Sequence, residues 1–313
     1  MEIDQENQKI YKIFEEASSE FHDDKSDNGN YRTEKNLINE INYSVEDLER
    51  IDIDYDNANI SFHLNMNDQD KVAIKEYYIK NNVEYISKSN LSGGTLKLKQ
   101  GLIPKKLWFS SKLNVDIFVP IKYYGDFRVR LNEGQVYFDS IKNVGIVMLE
   151  TKNATVRVDS CNINAMSVIS KNGAVNVQNS ITNRALRIKT KKGSIKLNRI
   201  FSDLYQIEQK SGRIRANGIS GHGYFNGQNS SMKVSFNEVN GNIIGNVETG
   251  SIHFDFDPNY DFNFDISCQN GSISTPEIAE YKRKDDRITQ GTIGSNPEYS
   301  VKAYIKSGIV NLL

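Results

Sequence analysis

The chain has 313 residues, 38% of them apolar on a count that includes Tyr, 25% charged, and a formal net charge of −1. Near-neutral charge argues against a general nucleic-acid binder, and no run approaches the 18 consecutive apolar residues of a membrane span. The apolar share is modest for a globular domain, but the abundance of β-branched and aromatic residues argues against a disordered chain.

The opening MEIDQENQKI is acidic and has neither a basic n-region nor an apolar h-region, so no signal peptide is expected and the default location is cytoplasmic. Ile10, Ile13, Phe14, Ala17 and Phe21 then recur at helical spacing after Asp4, a suitable N-cap. A polar run from His22 to Lys35 reads as a linker, and Leu37, Ile38 and Ile41 make a second short amphipathic piece. Residues 1–45 are therefore expected as a helical, partly disordered segment that caps a main body over 46–313, or serves as a partner-binding helix.

From Ile51 the period changes to two. Ile51 and Ile53, then Ile60, Phe62 and Leu64, alternate with polar neighbours. Val72 and Ile74, Val83 and Tyr85, Leu96 and Leu98, and Leu113, Val115, Ile117 and Val119 follow the same rule. These read as half-buried strands, jointed by turn-formers such as Asn65-Met66-Asn67-Asp68 and Ser92-Gly93-Gly94.

The second half repeats. A turn residue followed by x-apolar-x-apolar recurs at Gly134, Ala154, Gly173, Gly193, Gly212, Ser230, Gly250 and Gly271, with spacings of 20, 19, 20, 19, 18, 20 and 21. Two positions beyond each turn stand Val136, Val156, Val175, Ile195, Ile214, Met232, Ile252 and Ile273. A coil of this length cannot bury its own apolar side, but stacked coils share one continuous core. The expected fold is all-β, a single-stranded β-solenoid of about 20 residues per coil, preceded by the short helical N-terminal segment. A meandering β-sandwich also alternates, yet it does not require the same slot to be apolar at a constant interval.

The repeat places both cysteines. Cys161 shares a column with Ile141, Ile200 and Ile219, whereas Cys268 shares one with Thr151, Thr190 and Val247. Six coils of about 4.8 Å separate them, far beyond disulfide reach, so two buried free thiols are expected. Neither the two Cys nor the four His fall in CxxC or HExxH spacing, and no GxGxxG, Walker or GxSxG pattern occurs. No catalytic residue, metal or cofactor is expected.

Three features merit a functional reading. The outward slot three past the turn reads Tyr137, Arg157, Asn176, Lys196, Arg215, Lys233 and His253. Arg157, Lys196, Arg215 and Lys233 form a candidate column for an anionic polymer or a protein partner, the competing reading being a solvated face that blunts aggregation. HFDFDPNYDFNFD concentrates Asp255, Asp257, Asp261 and Asp265, which suits Ca²⁺ or paired carboxylate chemistry. Alternation with Phe254, Phe256, Phe262 and Phe264 favours instead two wet-faced strands around a Pro258-Asn259 turn. Trp108 and Phe109 beside Lys105 and Lys106, and the irregular Pro276–Arg287 insertion, read as covers for the open ends of the sheet.

The closing GTIGSNPEYSVKAYIKSGIVNLL, the strand LNVDIFVP ending in Val119-Pro120, the G-x-[IV]-x-[VLF] steps and the opening IDIDYDNANISF resemble the bacterial putative adhesin family, a β-strand-repeat domain of unknown function. The resemblance covers about residues 44–313. It implies a β-solenoid with cell-surface or envelope roles, and it speaks to fold more than to activity. The expectation is a non-enzymatic interaction scaffold presenting outward columns to a protein or polymer. Its alternatives are a polysaccharide-binding or polysaccharide-acting β-helix and an intracellular component of envelope-stress sensing.

Overall fold

The computed structural model describes residues 35–67, 69–80, 82–108 and 111–313, without the side chain of Trp108. The helix expected over 10–21 lies outside these residues. The chain divides into two units, whose described parts are residues 35–181 and 182–313.

The first unit opens with β1 (Asn36–Ser44), β2 (Arg50–Asn65) and β3 (Lys71–Tyr78). Residues 36–44 are thus a strand, not the amphipathic piece expected after the linker. β1 runs antiparallel to β3 from Asn36↔Tyr78 to Ser44↔Lys71 and buries Ile38, so strand pairing overrides the helical spacing of three apolar residues. β4 (Lys88–Ser92) and β5 (Thr95–Lys99) form a hairpin whose loop residues Gly93 and Gly94 both have positive φ, +54° and +71°. That is the mirror-image turn matching the twist of the flanking strands. Val83–Tyr85, expected as strand, is a 3₁₀ turn: the Asn82 side chain accepts from the Glu84 N–H, and Val83 is 80% exposed.

A helical turn, α1 (Lys105–Trp108), leads to β6 (Leu113–Pro120), β7 (Asp126–Asp139), β8 (Val144–Asp159) and β9 (Asn162–Asn172). β2 pairs in parallel with β5 along its first half, with β6 along its second half, and with β7 along its opposite edge. β7 and β8 pair from Phe127↔Val147 to Asp139↔Asp159, a constant offset of 20 residues. Most inward positions of this ladder are apolar: Val129 and Leu149, Val136 and Val156, Phe138 and Val158 are all buried, with Thr151 opposite Leu131 a buried polar exception. Phe62 stacks on Phe138 at 4.3 Å and meets Phe127 edge-on at 4.9 Å.

β10 (Val175–Glu238) is one long extended segment whose first residues pair with β8. The second unit contains the rest of it with β11 (Ile243–Asp255), β12 (Phe262–Ser274), β13 (Glu280–Lys284), β14 (Ile288–Ile293) and β15 (Tyr299–Leu312). The order departs from simple succession: β15 pairs in parallel with β11 on one side and β12 on the other. The strands flanking the Pro258-Asn259 turn are therefore separated by the C-terminal strand.

The repeated glycines have a steric cause. At Gly212, where φ is +139°, an added Cβ would lie 1.9 Å from the carbonyl oxygen of Gly193. A side chain there would meet both an unfavourable backbone conformation and the backbone at Gly193. At Ala154 and Ser230, by contrast, a side chain is present and φ is not positive.

Candidate interaction surface

The outward slot is described in two parts, one in each unit. In the first, Tyr137, Arg157 and Asn176 stand in register on β7, β8 and β10. The Arg157 guanidinium lies 5.8 Å from the Tyr137 ring centroid. Burial, with Asp139 and Asp159 nearby, pushes the Tyr137 hydroxyl up to about 12, while Arg157 opposes the shift. Burial would also raise Asp159, but hydrogen bonds from Asn179, Gln178 and Ser160 at 3.1, 2.6 and 3.0 Å hold it below the usual carboxylate range. The acids beside the column are thus tied into the sheet face.

In the second unit, Lys233, His253 and Asn311 stand in register, and Asn311 Nδ2 lies 3.0 Å from His253 Nδ1. Lys196 and Arg215 are exposed between buried pairs, Ile195 with Leu197 and Ile214 with Ala216, as alternation requires. Side-chain ladders recur elsewhere on this unit, with Asn217 donating to Asn198 at 3.2 Å and Asn246 to Asn226 at 3.0 Å. The arrangement spreads polar groups along a face and can contact an extended partner at several points.

The four aspartates of the acidic segment disperse. Asp257 accepts from the Asn259 backbone and side chain at 2.9 and 2.6 Å, and these bonds hold its carboxyl below the ordinary range. Asp261 accepts from the N–H groups of Ser295 and Asn296 at 2.9 and 2.7 Å, and Asp265 from Gln290 at 3.0 Å. Asp255 is paired in register with Ser235. The intervening Phe254, Phe256, Phe262 and Phe264 are all buried, with Phe256 stacked on Phe236 at 4.7 Å. Among the described residues, no group of three or more His, Cys, Asp or Glu side chains is placed to hold a metal ion.

The Pro276–Arg287 insertion contains β13, which forms an antiparallel hairpin with β14. β14 in turn pairs with β12 from Phe262↔Ile293 to Ser267↔Ile288. The insertion thus supplies a short, charged final strand to the sheet edge, a device that discourages further strand addition. Phe109 and the Trp108 side chain lie outside the described residues, while Lys105 and Lys106 begin the helical turn α1.

Both cysteines are free and buried. Burial raises the Cys268 thiol and pushes Cys161 up to about 12, so both favour the un-ionised form at neutral pH.

Two features escaped the alternation reading. Glu76 is fully buried and accepts from Tyr55 Oη, Asn39 Nδ2 and the Ser87 N–H, at 2.8, 2.8 and 3.0 Å. Its signal was phase: Val72, Ile74 and Tyr78 face inward, and residue 76 falls on the same parity. The second is a run of cations around the Gly193 and Gly212 turns, spread over several repeat slots. No helix among the described residues is long and apolar enough to cross a membrane.

A family model, Toastrack DUF4097, matches residues 48–313. Among solved structures, a putative adhesin from Bacteroides fragilis NCTC 9343 is 14% identical, with a TM-score of 0.45, covering 88% of this chain and 96% of its own. A putative cell adhesion protein from Clostridium sporogenes ATCC 15579 is 11% identical, with a TM-score of 0.26, covering 88% and 98%. No curated protein matches the chain.

Proposed function

The chain belongs to the Toastrack DUF4097 family, and from that membership we propose that it is a non-enzymatic, adhesin-like scaffold built as a β-solenoid of about 20 residues per coil. The observation that carries this reading is the set of outward side chains in coil register, Tyr137–Arg157–Asn176 and Lys233–His253–Asn311. A buried apolar partner on each side of every outward residue fixes its direction, so the ladders offer an ordered surface. Such a surface suits a large protein or polymer of the cell envelope, bound through many weak contacts whose sum gives affinity.

Co-sedimentation of the purified full chain with bacterial cell-envelope fragments tests this. Binding without added cofactor, weakened by Arg157→Glu combined with Lys233→Glu, is the expected result. No co-sedimentation, or progressive release of soluble sugar from the fragments, would contradict the scaffold.

A further inference from the structure

Residues 184–215 carry ten Lys and Arg against two acids, in a chain whose total charge is −1. Six of these cations, Lys191, Lys192, Lys196, Lys210, Arg213 and Arg215, flank the Gly193 and Gly212 turns, and all six are exposed. Among the described residues none of the six makes an ion pair; Lys189 and Glu208, further from the turns, pair with each other.

Four independent contacts set the coils side by side. Lys189 meets Glu208, Gln209 Nε2 donates to Thr190 Oγ1 at 3.4 Å, Gly212 packs on the Gly193 carbonyl, and Asn217 donates to Asn198. Each pair is separated by 19 residues. The same offset brings Lys191 beside Lys210 and Lys196 beside Arg215, about one strand spacing of 4.8 Å apart. Like charges at that distance repel, and a fold that holds them together gains when an anion enters.

We propose that this corner binds a linear polyanion carrying phosphate or sulfate groups along an unstacked backbone. The proposal rests on the reading of the outward face as the working surface and adds the chemistry of its ligand. Arg213 and Arg215 supply forked donors matched to tetrahedral oxyanions, and the lysines supply mobile point charges. Residues 189–198 and 208–217 contain no aromatic side chain on which bases stack, which sets the corner apart from single-strand nucleic-acid sites. They also lack large apolar side chains on the outward positions, the anchors of an interfacial membrane contact.

The test is titration of the full chain with long-chain polyphosphate and, separately, heparin, the ratio of affinities separating a phosphate ligand from a sulfated one. Both are expected to weaken by about 100-fold between 50 and 200 mM salt if several cations engage together. Lys191→Gln, Lys210→Gln and Arg215→Gln combined should weaken binding at least about 10-fold, with an unchanged circular dichroism spectrum. Lys80→Gln, Lys88→Gln and Lys106→Gln, the same change in net charge on the first unit, should leave binding within about twofold. Equal loss in both triple variants overturns the proposal, as does tighter binding to oligothymidylate or phosphatidylglycerol vesicles than to either polymer. Envelope co-sedimentation without polyphosphate or heparin binding overturns the corner's ligand while the scaffold stands.

Discussion

Tyr55 donates its hydroxyl hydrogen bond to Glu76 Oε1 at 2.8 Å, and both residues are buried. The contact joins β2 to β3, and Asn39 from β1 and the Ser87 N–H complete the shell. A carboxylate removed from water is tolerated only when such donors replace its hydration. Glu76→Ala leaves the buried Tyr55 hydroxyl and Ser87 N–H and the half-buried Asn39 amide unsatisfied and should lower stability by about 2–4 kcal/mol. Tyr55→Phe removes one bond and should cost about 1–3 kcal/mol. Urea unfolding of the two variants checks the order.

Backbone collision and backbone conformation separate at two glycines. Gly212→Ala combines a φ of +139° with an approach of 1.9 Å to a carbonyl and should cost about 3 kcal/mol or more. Gly93→Ala, at φ +54° with nothing within 4 Å, should cost only about 1–2 kcal/mol. Thermal unfolding distinguishes them, and equal losses would contradict the stacked-turn account.

A second set of corners is built mostly from residues other than glycine. Ser140, Ser160 and Asn179 in the first unit, and Arg199 and Gly218 in the second, have φ between +50° and +61°. Arg has no side-chain means of relieving that conformation, whereas Asn populates it more readily. Arg199→Asn should raise stability by about 0.5–1 kcal/mol, read as a higher urea midpoint with an unchanged m-value.

Alkaline pH should destabilise the protein. The Cys161 thiol moves from an ordinary 9.0 to about 12 through burial. Between those values the unfolded chain loses a proton that the folded chain keeps, so this thiol's contribution to stability is constant below about pH 9 and is lost above it. Tyr55 and Tyr205, also raised by burial, add to the decline above pH 10. Cys161→Ala should remove about 1 kcal/mol of the loss between pH 9 and 10, measured as Tm against pH.

Much of the architecture was legible because period and burial coincide. Val136, Val156, Val175, Ile195, Ile214 and Ile252 occupy the slot expected of them, and all are buried. Strand order was less legible. β15 presents Val301, Ala303 and Ile305 inward like the other parallel strands, and alternation alone does not say that it enters between β11 and β12. β1 carries little alternation of its own because an edge strand needs only one strongly buried residue, Ile38, and its pairing partners lie 27 to 42 residues away. Arg157, Lys196, Arg215 and Lys233 share one repeat slot, whereas Lys191, Lys210 and Arg213 flank the turns in other slots. Their association follows from the bend at glycine, which brings several strand phases to one corner.

In the proposed function the outward ladders make the contact with the partner. Acetylation footprinting of lysines, with and without cell-envelope fragments, tests it directly by mass spectrometry. The account predicts protection of Lys196, Lys210 and Lys233, with Lys80, Lys88 and Lys106 unchanged. Protection confined to the latter three, or no protection while the protein co-sediments, would contradict it.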